Sequence, residues 1–410
     1  MISARFSHII RALQQRDFCV FMAGHLLSQM GMWMQRIVAG WMAWELARSA
    51  TWLGLIGMAD LVPTLFIGAI TGALADRRDR LTIVRVSQVF NAAFAAVICL
   101  LYIEDWLTIH LLFACMLAQG VFMAISQPAR LAMIPSMIGR ENLQAAIAIN
   151  SMVSNGGRFL GPMIGGIAIV QWGSGAAFGV CALCFAIPVV TLLSLNLKRD
   201  VIERSGKRLL GDAVAGLSYT ARHPGIGPIM LALIVTSAFG KPIISLFPGF
   251  SSEVFARGAD GLAWLTSAIG GGGALLGGVY TLQRAGISGL TRVFILMIGC
   301  IGAGLVAFAA TDFFLAAIII CSGLGAALMT NDVTSQTLLQ HAGAANIRGR
   351  VASLLGMVHR GGQALGSLVL GVTADLIGLR WTAAVGGAIC PAFWLWSLRR
   401  SRAIAAALEV

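Results

Sequence analysis

Four cations stand inside long apolar stretches of this sequence: Arg36, Arg158, Lys241 and Arg360. A charge at the centre of a bilayer costs about 3 kcal/mol or more, so a side chain of this kind is a site hypothesis wherever it occurs. A guanidinium can fork onto two carboxylate or catecholate oxygens, and an ammonium supplies a compact point charge. The chemistry these residues offer is the holding of an anionic or polyhydroxylated molecule within a membrane. The competing reading is that they snorkel to an interface or bridge helices. A second kind of chemistry is proton movement, which needs a titratable group whose affinity is tuned by burial or by a partner. Asp60 is the leading acid and is placed to pair with Arg36, while His25 and His359 rank below it because an intramembrane histidine is more often a helix–helix hydrogen-bond partner. Glu45 and Glu253 fall near an interface and Asp332 near a helix end, so these three are set aside.

The elements that must position these residues follow from composition. The chain has 410 residues, 58% hydrophobic and only 11% charged, and its mean hydropathy is +0.84. Apolar runs of about 20 residues without strict alternation are membrane-crossing helices and not barrel strands. Helices are expected at about Phe18 to Leu46, Trp52 to Ala75, Leu81 to Leu101, Leu107 to Gln127, Ala145 to Val170 and Gly175 to Leu195. A second set is expected at about Ile226 to Phe255, Leu262 to Leu282, Thr291 to Ala310, Phe313 to Gln336, Val351 to Ala374 and Trp381 to Leu398. No cleavable signal segment is expected, because the first apolar run has no convincing small-residue cleavage site.

The charged loop GALADRRDR, Gly72 to Arg80, joins the second and third helices and fixes the orientation. Of the 29 Lys and Arg residues, about 22 fall on the side of Arg77 and about 3 on the other, which places both termini in the cytoplasm by the positive-inside rule. The net charge of +12 is therefore topological, with lipid head groups as its partner and no nucleic acid. The eight cysteines all lie in apolar segments and read as small buried hydrophobes. No metal site or cofactor is expected, and the absence of a GxxxxGK(S/T) loop argues against ATP hydrolysis.

The two sets of helices repeat each other at an offset of about 205 residues. GGRFLGPMIGG at Gly156 to Gly166 lies over GGQALGSLVLG at Gly361 to Gly371, and Arg36 lies over Lys241. Arg158 falls on Gln363 and Asn155 on Arg360, which adds the two amides to the candidate binding residues. Such a repeat implies an all-α polytopic membrane protein of 12 transmembrane helices, arranged as two pseudo-twofold six-helix bundles with a site between them. The expected division is residues 1–197, a cytoplasmic linker at 198–224, and residues 225–410.

At this point the residues resemble a major facilitator superfamily transporter. The loop is similar to the signature GxxxD(R/K)xGR at Gly72, Asp76, Arg77 and Arg80, with Asp79 where glycine is usual. The resemblance implies a conformational latch in which Asp76 caps a neighbouring helix. Gly157, Gly161, Pro162, Gly165 and Gly166 fit GxxxGPxxGG, the helix-five pattern of antiporters, which implies export. The helix-four pattern RxxQG stands here as Met116-Leu-Ala-Gln119-Gly120, so its arginine is missing. The runs Met30 to Ala50, Gln127 to Pro135 and Ala146 to Pro162 resemble the transmembrane secretion effector branch, which includes siderophore exporters of the enterobactin type. The expectation is a bacterial inner-membrane exporter of a small anionic or amphipathic molecule, such as a siderophore or drug, working by proton antiport and alternating access. It is no enzyme, its partners are the substrate, protons and the bilayer, and a monomer is compatible with all of this. A lysolipid flippase or an uptake transporter is the second reading, and a non-transporting sensor the third.

Overall fold

The computed structural model describes residues 11–67, 79–139, 142–195, 218–220, 223–284, 286–342 and 348–409. Every regular element among them is helical. Helix α1 spans Arg16–Ala47, α2 Ala50–Ile67, α3 Arg80–Ile103, α4 Ile109–Met137 and α5 Leu143–Leu193. Then come α6 at Ile226–Val254, α7 at Gly258–Thr281, α8 at Leu290–Ala310, α9 at Phe314–Ala342, α10 at Arg348–Ile377 and α11 at Leu379–Leu408. Nine helices among the described residues are long and apolar enough to cross a membrane. The chain is an all-α polytopic membrane protein. Large apolar side chains such as Leu100, Val190 and Leu376 are 61%, 68% and 77% exposed, which suits lipid and not water.

Local chemistry explains where the helices start, turn and stop. Asp79 accepts the Thr82 backbone N–H at 3.0 Å and so caps α3, which gives a structural reason for aspartate in place of the signature's glycine. Thr108 caps α4 in the same way through Leu111. The single run α5 turns at Gly173, whose φ of 82° lies in the left-handed region that glycine adopts without strain. The break divides α5 at the place expected between Val170 and Gly175. In α2 the helix loosens to a turn at Asp60 and Leu61, just ahead of Pro63, which cannot donate to the carbonyl one turn back.

Two helices outrun their sequence expectation by about ten residues. The end of α4 lies at Met137 and not near Gln127, passing through Pro128 and Pro135. Likewise α11 continues ten residues past Leu398, because Ile404 and Leu408, each 3% exposed, supply a buried stripe beneath the basic Arg399, Arg400 and Arg402.

Two compact units emerge. One comprises Met1–Met42 with Val62–Ser205, and the other Ala43–Leu61 with Gly206–Val410. In the first, Phe18, Phe21, Leu81, Val84, Met133, Ile134, Ala146 and Leu192 share a buried core. In the second, π-helical turns interrupt α6 at Thr236–Gly240 and Phe250–Val254, and α7 at Ala268–Gly273. Gly72, Asp76 and Arg77, together with most of residues 198–224, lie outside the described residues.

Candidate functional site

In the first unit the glycines of the GxxxGPxxGG segment form a seat for α1. A Cβ on Gly157 would lie 3.1 Å from the Met30 nitrogen, one on Gly161 would lie 2.6 Å from the Met30 carbonyl oxygen, and one on Gly165 3.0 Å from Met34 Cγ. Small residues four apart thus let α5 run against the α1 backbone from Gln29 to Met34. Pro162 and Gly166 are buried on the same helix, and Pro162 leaves the Arg158 carbonyl without its helical donor.

This seat brings two candidate cations to one aromatic ring. Arg36 Cζ lies 4.6 Å from the Trp33 ring centroid and Arg158 Cζ 4.8 Å from it. Each contact is worth about 0.5–2 kcal/mol depending on desolvation. Both arginines are half-buried, and Asn155, a turn earlier on α5, is exposed. Arg36 and Arg158 therefore converge, as a site for an anionic group requires.

Beside them runs a ladder of neutral amides. Gln35 and Gln119 pair through both amide groups, and Gln35 Nε2 also reaches Met116 Sδ at 3.1 Å. Gln119 donates on to the Asn91 carbonyl at 3.0 Å. Gln88 donates to Ser28 Oγ at 2.9 Å and to the Phe185 carbonyl at 3.1 Å. These groups are 1–5% exposed, so each bond avoids a desolvation cost of about 1–3 kcal/mol. The place where the family pattern carries arginine is thus filled by a thioether that accepts from an amide.

His25 is 8% exposed, stacks on Phe21, and has Nδ1 2.9 Å from Arg130 Nη1. A guanidinium only donates, so Nδ1 accepts and the imidazole is held in the neutral Nε2–H form. The expected end of the fourth helix near Gln127 leaves Arg130 outside the helices, and the extension of α4 carries it into the helical body. Near the same end, Arg80 donates to the Ala132 carbonyl at 3.2 Å. Arg85 donates to the carbonyls of Leu192 and Leu195 at 2.7 and 3.0 Å, closing the C-terminus of α5.

The second unit repeats the seat and adds a titratable cluster. A Cβ on Gly362 would lie 2.7 Å from Ser237 Cβ, and one on Gly366 would strike the Ala238 carbonyl, so α10 carries α6 as α5 carries α1. The π turn at Thr236–Gly240 adds one residue to the helical register and so rotates the rest of α6 by about 100°. Immediately after it, Lys241 Nζ lies 2.8 Å from Asp332 Oδ1 on α9, and His359 Nε2 on α10 lies 3.7 Å from the same oxygen. The side chains of Lys241, Asp332 and His359 are 13%, 27% and 23% exposed. Next to Asp332, Asn331 is 1% exposed and has Oδ1 3.5 Å from Thr236 Oγ1. Arg360 and Gln363 are half-buried on α10. Asp60 lies at the turn in α2, in the unit that does not contain Arg36.

Sequence reasoning sets Asp332 aside as near a helix end. Instead α9 runs on through Gln336 and Gln340 to Ala342, which places Asp332 a further turn and more from its terminus. The polar residues past the last apolar run disguise that continuation.

The fold and the paired helix seats define a membrane transporter of the major facilitator type. More narrowly, the chain belongs to the transmembrane secretion effector family, which matches residues 9–401. It is a small-molecule transporter and not an enzyme. It is 25% identical over 370 residues to the staphyloferrin A transporter of Staphylococcus aureus, covering 90% of this chain and 92% of that one. It is 26% identical over 351 residues to the enterobactin exporter EntS of Salmonella typhi, covering 84% and 82%. Among solved structures, a bacterial homologue of the human lysosomal transporter Spinster, inward-facing and unoccupied, superposes with a TM-score of 0.76 at 15% identity, over 96% of this chain and 98% of that one.

Proposed function

We propose that this protein exports a small anionic or amphipathic organic molecule, of the siderophore or drug kind, across the bacterial inner membrane in exchange for protons. The observation that carries this reading is the placement of Asp332 Oδ1 2.8 Å from the Lys241 ammonium and 3.7 Å from the His359 imidazole. With Asp332 charged, Lys241 is engaged. The charged carboxylate accepts a substrate hydroxyl beside the ammonium; a proton taken up by Asp332 from the outer side removes that acceptor and releases the substrate, and loss of the proton to the cytoplasm restores the site, so that proton and substrate alternate as exchange requires. His359 relays the proton to or from Asp332, and Asp60 at the turn of α2 is a second acid for the same task. His25, accepting from Arg130, serves helix packing. Arg36, Arg158 and Arg360, with Asn155 and Gln363, supply the anion-binding side chains. The names of the staphyloferrin A and enterobactin relatives support a polyanionic substrate class.

The transport cycle is alternating access by twelve helices, with α5 counted as two spans. Residues 1–197 and 225–410 rock as bundles and 198–224 tether them. Both termini are cytoplasmic, and Gly72, Asp76, Arg77 and Arg80 form the cytoplasmic latch. The test is export of labelled catecholate, carboxylate and drug substrates from deleted cells complemented with wild type or Arg36→Ala, with and without a protonophore. Gradient-dependent export of an anion, lost in the variant, supports the reading. Unaltered anion export on deletion, with a shift in lipid composition or drug tolerance, replaces it with a flippase or multidrug reading.

A further inference from the structure

The N-terminus of α2 is capped by a residue more than 300 positions away. Asp375, in the last turn of α10, accepts the Ala50 N–H at 2.7 Å through Oδ1. Its Oδ2 accepts the Thr51 N–H at 2.9 Å and the Ser49 hydroxyl at 2.6 Å. Ser49 occupies the N-cap position with extended backbone, φ −129° and ψ 130°, yet caps nothing with its own side chain. Its hydroxyl, a strong capping group in general, is turned outward to the carboxylate instead.

The surface behind this contact is made of backbone and small side chains. A Cβ on Gly371 would lie 2.5 Å from the Ala50 carbonyl oxygen and 3.0 Å from Gly54 Cα. One on Gly57 would lie 2.5 Å from Ser245 Oγ, and one on Gly54 would strike the Ser367 carbonyl. Faces of this kind part without withdrawing large side chains from pockets. The segment involved, Ala43–Leu61, packs with Gly206–Val410, whereas its flanks up to Met42 and from Val62 belong to the other unit. The boundary at Leu61 and Val62 coincides with the helical break at Asp60 and Leu61.

We propose that Asp375 is a positioning residue of the transport cycle, clasping the connection between α1 and α2 in this conformation and releasing it when the face opens. Release is cheap because Ser49 takes over: freed from the carboxylate, its hydroxyl turns inward and caps α2 itself. One cap is exchanged for a weaker one: the Ser49 hydroxyl can take the Thr51 N–H, at the second helical position, while the Ala50 N–H at the first turns to solvent. The proposal rests on the alternating-access reading above.

The test is hydrogen exchange at the Ala50 and Thr51 amides of the full-length protein in lipid nanodiscs, without substrate or gradient, alongside transport by the same variants. Asp375→Ala exchanges these amides about fivefold faster, the factor equivalent to about 1 kcal/mol of lost cap, and changes turnover. Asp375→Glu restores both. Ser49→Ala alone leaves exchange near wild type, and the double variant exchanges faster than Asp375→Ala because neither cap remains. If Asp375→Ala does not yield folded protein, Asp375→Asn carries the same comparison. Unchanged exchange and turnover in the Asp375 variant, or exchange raised as much by Ser49→Ala, overturns the clasp. Failure of the wild type to export any anion overturns the exporter reading instead, and the exchange data then decide the clasp on their own.

Discussion

Replacing Gly161 with alanine tests whether the α5 seat positions the cation pair. The new Cβ would lie 2.6 Å from the Met30 carbonyl oxygen, 2.8 Å from Trp33 Cβ and 3.0 Å from the Met34 nitrogen. Ordinary carbon contacts begin near 3.4 Å, so α1 and α5 must separate by roughly 0.8 Å. Two of these neighbours are backbone atoms, which have no rotamer to yield. Overpacking of this kind costs about 1–3 kcal/mol. For a unit of roughly 200 residues that lowers the unfolding midpoint by about 2–12 °C. The same displacement carries Trp33 away from Arg158, so transport of an anionic substrate falls with stability. The assay is thermal unfolding in detergent together with transport, with Gly278→Ala as the control, since nothing lies within 4 Å of the Cβ there. A Gly161→Ala protein as stable and active as Gly278→Ala refutes the seat.

Two other sites give further expected outcomes. Met116→Arg restores the helix-four arginine of the family pattern, but at a position 4% exposed whose near neighbour, Gln35 Nε2, is already a donor. An unpaired charge there costs about 2.5–3.5 kcal/mol, so the variant is expected to lose folded yield on size-exclusion chromatography and to gain no proton coupling. Glu409 accepts the Gly289 and Thr291 backbone N–H groups at 2.6 and 2.7 Å and so caps α8. Burial opposes its charge and the hydrogen bonds outweigh it, leaving the carboxyl below its ordinary value of 4.5. A carboxyl whose folded value is depressed stabilises fully above its unfolded value and loses that contribution as pH falls through the folded one. Unfolding midpoints measured from pH 7 down through pH 4 and below are therefore expected to fall more steeply in the wild type than in Glu409→Gln; parallel curves contradict this role.

The nine spans found among the described residues were legible because a run of about 20 apolar residues has one physical use. The α5 seat was legible too, since glycines four apart beside a proline predict close helix approach, and Gly157, Gly161 and Gly165 make it. Contacts set by helical register and by neutral groups were hidden. Lys241 reaches Asp332 by way of a π turn, which no apolar periodicity announces. The Gln35, Gln119 and Asn91 ladder escaped a search confined to ionisable residues. Asp375 is an ordinary surface acid in the sequence, and its three donors from Ser49, Ala50 and Thr51 are brought to it only by tertiary folding.

The most direct test of the central claim is uptake into proteoliposomes containing the purified protein, using a labelled tricarboxylate and an imposed pH gradient, for wild type and Asp332→Asn. Proton-gradient-driven movement by the wild type, reduced in Asp332→Asn to gradient-independent exchange, is the predicted result. Movement that ignores the gradient in the wild type, or a gradient response that survives Asp332→Asn unchanged, contradicts the assignment of Asp332, Lys241 and His359 to coupling.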